Sequence, residues 1–244
     1  MTQLKMLEDL NAVLLVDKPA GIAFSSVVKA VKRKFNLVKV GHGGSLDAAA
    51  SGLLVLLLGD ANKFVGDVMG ADRSYEGTIR FGISTNTGDI QGNVVKTSAD
   101  LPTAESIETA LREFRGDIFQ TEPRFCSVRR ESSADYEVAD TGEHSQFLAH
   151  VYRFRIDCSG LADARREDGS ASLPFTLTAT KGVIVRALAG DLGDALGCGA
   201  CLETVRRTSV GKLSVADAVP FMKVLETDIA DFASLTIPVH KVFS

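Results

Sequence analysis
Asp47 stands in the run Gly41-His42-Gly43-Gly44-Ser45-Leu46-Asp47-Ala48-Ala49-Ala50-Ser51-Gly52, which leads straight into Leu53-Leu54-Val55-Leu56-Leu57-Leu58. Glycine and alanine give a carboxylate nothing to pair with, and the apolar run ties it beside the core. Removing an unpaired carboxylate from water is costly, so a partner cation is expected from elsewhere in the chain. Asp47 is the first candidate for chemistry. The competing reading is a turn or helix-cap aspartate, whose side chain bonds nearby backbone N–H groups.

Other chemistries find less support. The glycine loop lacks the Gly-Lys-Ser/Thr ending of a P-loop, and Gly41, Gly43 and Gly44 do not make the dinucleotide fingerprint. His42, His144, His150 and His240 show no metal-ligand spacing with cysteines or acids. Cys198-Gly199-Ala200-Cys201 matches C-x-x-C, but Cys126 and Cys158 stand alone and cannot complete a zinc site. The cysteines read as packing residues, and no metal is expected. A glycosidase would need a second carboxylate opposite Asp47, which sequence spacing does not identify.

The elements around the loop must position it. Residues 13–17 read as a short buried strand, followed by Lys18-Pro19 and Gly21. Ser25 is placed to cap a helix through about Asn36, with Val27, Val28, Val31 and Phe35 on one face and the lysines mostly on the other. Residues 53–58 have the pattern of a strand covered on both sides. The pattern predicts a helix over 60–69, a strand over 73–81 and a turn-rich loop over 84–89. A helix over 103–114 would be capped by Thr103. Residues 120–142 are polar and arginine-rich, as a surface loop with some helix would be. Tyr152, Phe154 and Ile156 alternate with Arg153 and Arg155, a half-buried strand, and Phe175, Leu177 and Ala179 alternate likewise. Residues 161–172 read as a loop, and 183–196 as a helix stopped by Gly197. Strands and helices mixed without a regular β-α repeat give an α+β class with a mixed sheet.

At 244 residues the chain can bury a large core in one or two domains. Its longest apolar stretch, 48–58, is too short to span a bilayer, and residues 1–10 lack an apolar signal core. A cytoplasmic protein with no membrane partner is the expectation. A net charge of −4 argues against a generic nucleic-acid coat. Yet Lys29, Lys32, Arg33, Lys34 and Lys39 form a cationic stretch with no acid between them, and Arg124, Arg129, Arg130, Arg206 and Arg207 add further clusters. Such patches on an acidic protein fit one structured RNA, although a charge run is as often a solvated helix face.

The run from Gly41 to Asp47 closely resembles the G-H-T-G-x-L-D motif of the TruB family of tRNA pseudouridine synthases. The likeness continues collinearly. Leu14-Leu15-Val16-Asp17-Lys18-Pro19 resembles the family's opening strand and Lys-Pro turn, Gly59 to Phe64 its G-x-A-T-K segment, and Arg73-Ser74-Tyr75 its K-x-Y motif. Thr180-Lys181-Gly182 through Arg186 to Gly193 is similar to T-K-G-x-x-I-R-x-L-A-x-D-L-G, and Arg206-Arg207-Thr208 with Gly211 to R-R-T-x-x-G. The resemblance spans roughly residues 11–220 and implies the pseudouridine synthase fold, a mixed, largely antiparallel central sheet flanked by helices and loops.

By this resemblance the chain isomerises uridine 55 in the T-loop of tRNA after flipping the base out of its stack, with no cofactor. Asp47 is the carboxylate that acts at the sugar, Arg186 the cation that pairs with it, and Tyr75 the ring that packs on the uracil and relays the C5 proton. His42 corresponds to a histidine that helps hold flipped nucleotides. Lys18 and Lys63 support the loop or touch phosphate, and Arg124, Arg129, Arg130 and Lys181 join the RNA contacts. Gly43, Ala48 and Ile184 depart from the family's threonine, proline and tyrosine. The expected layout is a catalytic domain over 1–225 and a short tail over 226–244, with no room for the RNA-binding PUA domain of some members. A monomer with no obligatory protein partner, working on the tRNA T-arm, is the default. Two alternatives stay open: a catalytically silent RNA-folding chaperone, and a synthase redirected to another RNA loop.

Overall fold
The computed structural model describes Leu7 and residues 10–121, 146–161 and 163–243. In chain order they form β1 (Ala12–Lys18), α1 (Phe24–Lys34), β2 (Val40–His42), β3 (Ser51–Leu58), a 3-10 turn (Gly59–Phe64), α2 (Val65–Gly70) and β4 (Arg73–Phe81). Next come β5 (Ile83–Thr85), β6 (Val94–Thr97), α3 (Ala104–Leu111), β7 (Gly116–Thr121), β8 (Gln146–Ile156), β9 (Ala171–Ala179) and α4 (Val185–Ala195). β10 (Ala200–Val210), β11 (Leu213–Ser214), β12 (Val219–Pro220), α5 (Phe221–Glu226), β13 (Ile237–Pro238) and α6 (Val239–Val242) complete the chain. Among the described residues no helix is long and apolar enough to cross a membrane.

Two compact units divide these elements: residues 1–75 with 206–244, and residues 76–205. In the first, β1 runs antiparallel to β3, Leu15 opposite Val55, and parallel to β12. β3 pairs with β2 and, in parallel, with the end of β10. Both faces of β3 are buried, as its apolar run predicts. Leu54, Leu56 and Leu58 face Val27, Val31 and Phe35 of the α1 region, while Leu53, Val55 and Leu57 face Ala61 and Val68.

Three expectations for this unit change. Helix α1 starts at Phe24 after Ala23, so Ser25 lies inside its first turn and caps nothing. The helix expected over 60–69 is a 3-10 turn followed by α2. The stretch 226–244 is no appended tail: Phe232 is fully buried, its ring stacked on Phe35 at 3.7 Å, and Ile237 pairs with Val13. Lys29, Lys32 and Arg33 lie on the exposed face of α1, as expected.

In the second unit β9 lies between β4 and β8, with β7 at the edge. β7–β8 and β8–β9 are antiparallel, so the mixed, largely antiparallel sheet is confirmed. The Thr103 hydroxyl caps α3 by accepting from the Ser106 N–H, and Phe175, Leu177 and Ala179 are buried as their alternation predicts. Tyr152 departs from its alternation. The pairing steps from Val151 opposite Ala179 to Arg153 opposite Thr178, leaving Tyr152 as the extra residue of a bulge and 54% exposed. Ser84 and Thr85, expected in a loop, pair with β6 instead.

Candidate active site
Asp47 lies in the irregular segment between β2 and β3, so no helix follows for it to cap. Its neighbours Leu46 and Ala50 are buried and hold the segment down, while Asp47 itself is exposed. A buried carboxylate was expected, and the structure corrects this: the apolar run anchors the loop without burying Asp47.

Cations fasten this loop through its carbonyl oxygens. Arg207 of β10 is 1% exposed. Its Nε donates to the Leu53 carbonyl at 2.8 Å, Nη1 to Ser45 at 2.8 Å and Nη2 to Gly44 at 3.3 Å. The Tyr75 hydroxyl is close enough to act on the Arg207 charge. Burial pulls the Arg207 guanidinium below its usual pKa, opposed by Tyr75 and Asp47. Arg73 donates to the carbonyls of Met69, Ala71 and Gly43. Lys18 has no exposure, and its ammonium donates to the carbonyls of Pro19 and Ile22 at 2.8 Å and of Ala48 at 3.4 Å. Burial pushes the Lys18 pKa down to about 8, against the attraction of Asp47 and with the repulsion of Arg207.

Carbonyl dipoles satisfy the donors without cancelling the positive charge. The loop is fastened at several carbonyls, and Asp47 lies in the field of Lys18 and Arg207. Arg206 points the other way along β10 and makes a two-pronged ion pair with Asp17, at 2.9 and 2.7 Å. Sequence reading saw Arg206 and Arg207 only as a surface cluster and a motif match. Adjacent strand residues face opposite sides, so one of the two had to turn inward.

Tyr75, on β4, is 8% exposed, and it acts electrostatically on Arg207. His42 ends β2 opposite Leu56, its ring 4.9 Å from that of Phe24. Lys63 is exposed, with its ammonium 5.2 Å above the Phe64 ring. The Gly43 departure has a steric cause: a Cβ there would stand 2.2 Å from Val68 Cγ1. A threonine would need Val68 to move.

Arg186 belongs to the second unit. It is the second residue of α4, and its Nη1 donates to the Thr87 carbonyl at 3.4 Å. Lys181 is exposed in the turn before that helix. Cys198 and Cys201 are buried, free thiols, and burial raises both, Cys201 to about 11, which suits packing residues. Arg124, Arg129 and Arg130 lie outside the described residues. Within the first unit the structure thus brings Asp47, Lys18 and Tyr75 around Arg207, while Arg186 is held on α4 of the second unit.

Residues 32–182 match the model of the TruB family pseudouridylate synthase (N terminal domain), and residues 186–232 that of the tRNA pseudouridylate synthase B C-terminal domain. The chain is 39% identical over 210 residues to the tRNA pseudouridine synthase B of Burkholderia pseudomallei (strain 668), covering 86% of this chain and 68% of that protein. It is 38% identical over 235 residues to the protein of the same name from Burkholderia lata, covering 96% and 71%. Among solved structures, a chain of an H/ACA RNP bound to a substrate RNA containing 2′-deoxyuridine aligns with a TM-score of 0.67 at 22% identity. A chain of a Cbf5-Nop10-Gar1 complex aligns equally well. Each alignment covers nearly all of this chain, which spans 62% and 63% of theirs, and shows a shared fold.

Proposed function
Because the chain belongs to the TruB family of pseudouridylate synthases, we propose that it is a tRNA pseudouridine synthase converting uridine 55 of the T-loop to pseudouridine. The observation that carries this reading is an exposed Asp47 on a loop whose carbonyls are clamped by buried Lys18, Arg73 and Arg207, with Tyr75 acting electrostatically on the last.

The target nucleotide leaves its stack at a cost of a few kcal/mol, offset by base packing and phosphate contacts. Asp47 then acts on the ribose, either by attacking C1′ or by removing a sugar proton. The N1–C1′ bond breaks, the uracil turns, and a C5–C1′ bond forms. C5 gives up its proton through the Tyr75 hydroxyl and N1 acquires one, so protons balance and nothing is oxidised. Arg186 is assigned to pair with Asp47 and orient it, a task suited to a guanidinium fork. His42, Lys18, Lys63, Lys181 and the arginines Arg124, Arg129 and Arg130 are assigned to loop support and RNA contact. The protein acts as a monomer in the cytoplasm, with tRNA as its partner.

Tritium release from C5-labelled uridine in a T-arm transcript tests the reading. Wild type is expected to release tritium and Asp47→Ala to release none; equal release would remove Asp47 from the reaction. Arg186→Lys is expected to keep T-arm affinity within about twofold and to lose at least about tenfold in kcat, since lysine lacks the fork. Wild-type turnover in that variant would refute the pairing.

A further inference from the structure
Gln120, on β7, is 1% exposed, a buried amide where the sequence suggests the start of a polar surface loop. Its side chain works in both directions on one residue. Nε2 donates to the Ile184 carbonyl at 3.1 Å, and Oε1 accepts from the Ile184 N–H at 2.9 Å. This is the exchange a neighbouring strand would make, supplied here by a side chain.

Ile184 is the N-cap of α4, two residues before Arg186. The other end of the same turn is held in a matching way: the Thr180 N–H donates to the His150 carbonyl, and the Thr180 hydroxyl accepts from the His150 N–H, both at 2.9 Å. Between the anchors lies Gly182 at φ +88°, where the backbone has no side chain to stiffen it. The point at which α4 begins is therefore set by the two anchors, and Gln120 provides the one nearer Arg186.

We propose that Gln120 is a positioning residue for Arg186: by fixing the Ile184 backbone it sets where α4 starts and hence where the guanidinium is delivered. The inference rests on the catalytic assignment of Arg186. Misplacing a reacting group by about 1 Å can cost about 100-fold in rate, so the effect should fall on turnover.

The test compares kcat and KM on a T-arm transcript for Gln120→Leu, Arg186→Lys and the double variant, with Gln120→Glu followed across pH. Gln120→Leu should lower kcat by about 10- to 100-fold at unchanged KM, and should add nothing to Arg186→Lys. In Gln120→Glu the carboxylate repels the Ile184 carbonyl, while the protonated acid restores both bonds. Its activity relative to wild type should therefore climb as pH falls through the raised pKa of a buried carboxyl. Wild-type kcat in Gln120→Leu, or the same fold loss in the Arg186→Lys background, overturns the role given to Gln120 alone. Full activity of Arg186→Lys overturns the arginine's assignment, and this inference with it. Should Gln120→Leu fail to fold, the Gln120→Glu ratio decides, and a ratio flat with pH is the overturning result.

Discussion

A lysine with no solvent exposure next to an aspartate invites the reading of an ion pair, but the Lys18 ammonium spends its donors on the carbonyls of Pro19, Ile22 and Ala48. It is a strut for the loop that carries Asp47. Its pKa falls from 10.5 to about 8 on folding, so between those values the unfolded chain binds more protons and stability rises with pH. Below pH 8 the burden of the buried charge is present in full. Wild type should therefore gain on Lys18→Met in urea-denaturation midpoint between about pH 7.5 and about pH 9.5. A constant gap would contradict a charge buried at neutral pH. At this scale Asp47, Tyr75 and Arg186 stand out in the sequence because their neighbours match a family pattern, and the roles given to them are proposals. Arg207 and Gln120 were legible as letters but not as roles, since each acts on backbone far away in the chain.

Among the elements, β3 was the easiest to read and is the most constrained. Gly52 has φ +101°, and a Cβ there would stand 2.3 Å from the Arg207 carbonyl. Only a glycine lets β10 approach closely enough for the Arg207 guanidinium to reach the loop. Gly52→Ala should destabilise the chain by roughly 2–4 kcal/mol in chemical denaturation and reduce turnover together with stability. A near-neutral change would mean that the strands separate without consequence for the loop. Strands with regular alternation, such as β9, were read correctly because burial on one face writes itself into every second residue. The bulge at Tyr152 left no such trace, because it is a property of the pairing between β8 and β9 rather than of either strand. The start of α1 was missed for a similar reason: Ser25 looks like a cap, but the helix begins two residues too early, after Ala23, for its side chain to serve.

For the whole molecule, the chain's last stretch belongs to the first unit's core and is no appendage. Phe232 covers Phe35, and β13 lies along β1. Losing one buried phenylalanine costs about 3–5 kcal/mol, a large part of the roughly 5–15 kcal/mol that holds a typical domain together. A chain cut after residue 225 should lose its cooperative thermal transition; melting like the full-length protein would show that the stretch is dispensable. Sequence could not reveal this, because the contact joins aromatic rings almost 200 residues apart. One consequence of the two-faced burial of β3 remains. A ribbon greasy on both sides carries no information about its own alignment, since sliding it by one position would hide as much hydrocarbon as before. What makes one alignment unique is the notch at Gly52 into which β10 fits. The fit that seats the Asp47 loop thus doubles as a folding checkpoint, and under the proposed function a chain that slipped past it would be stable in bulk yet chemically inert.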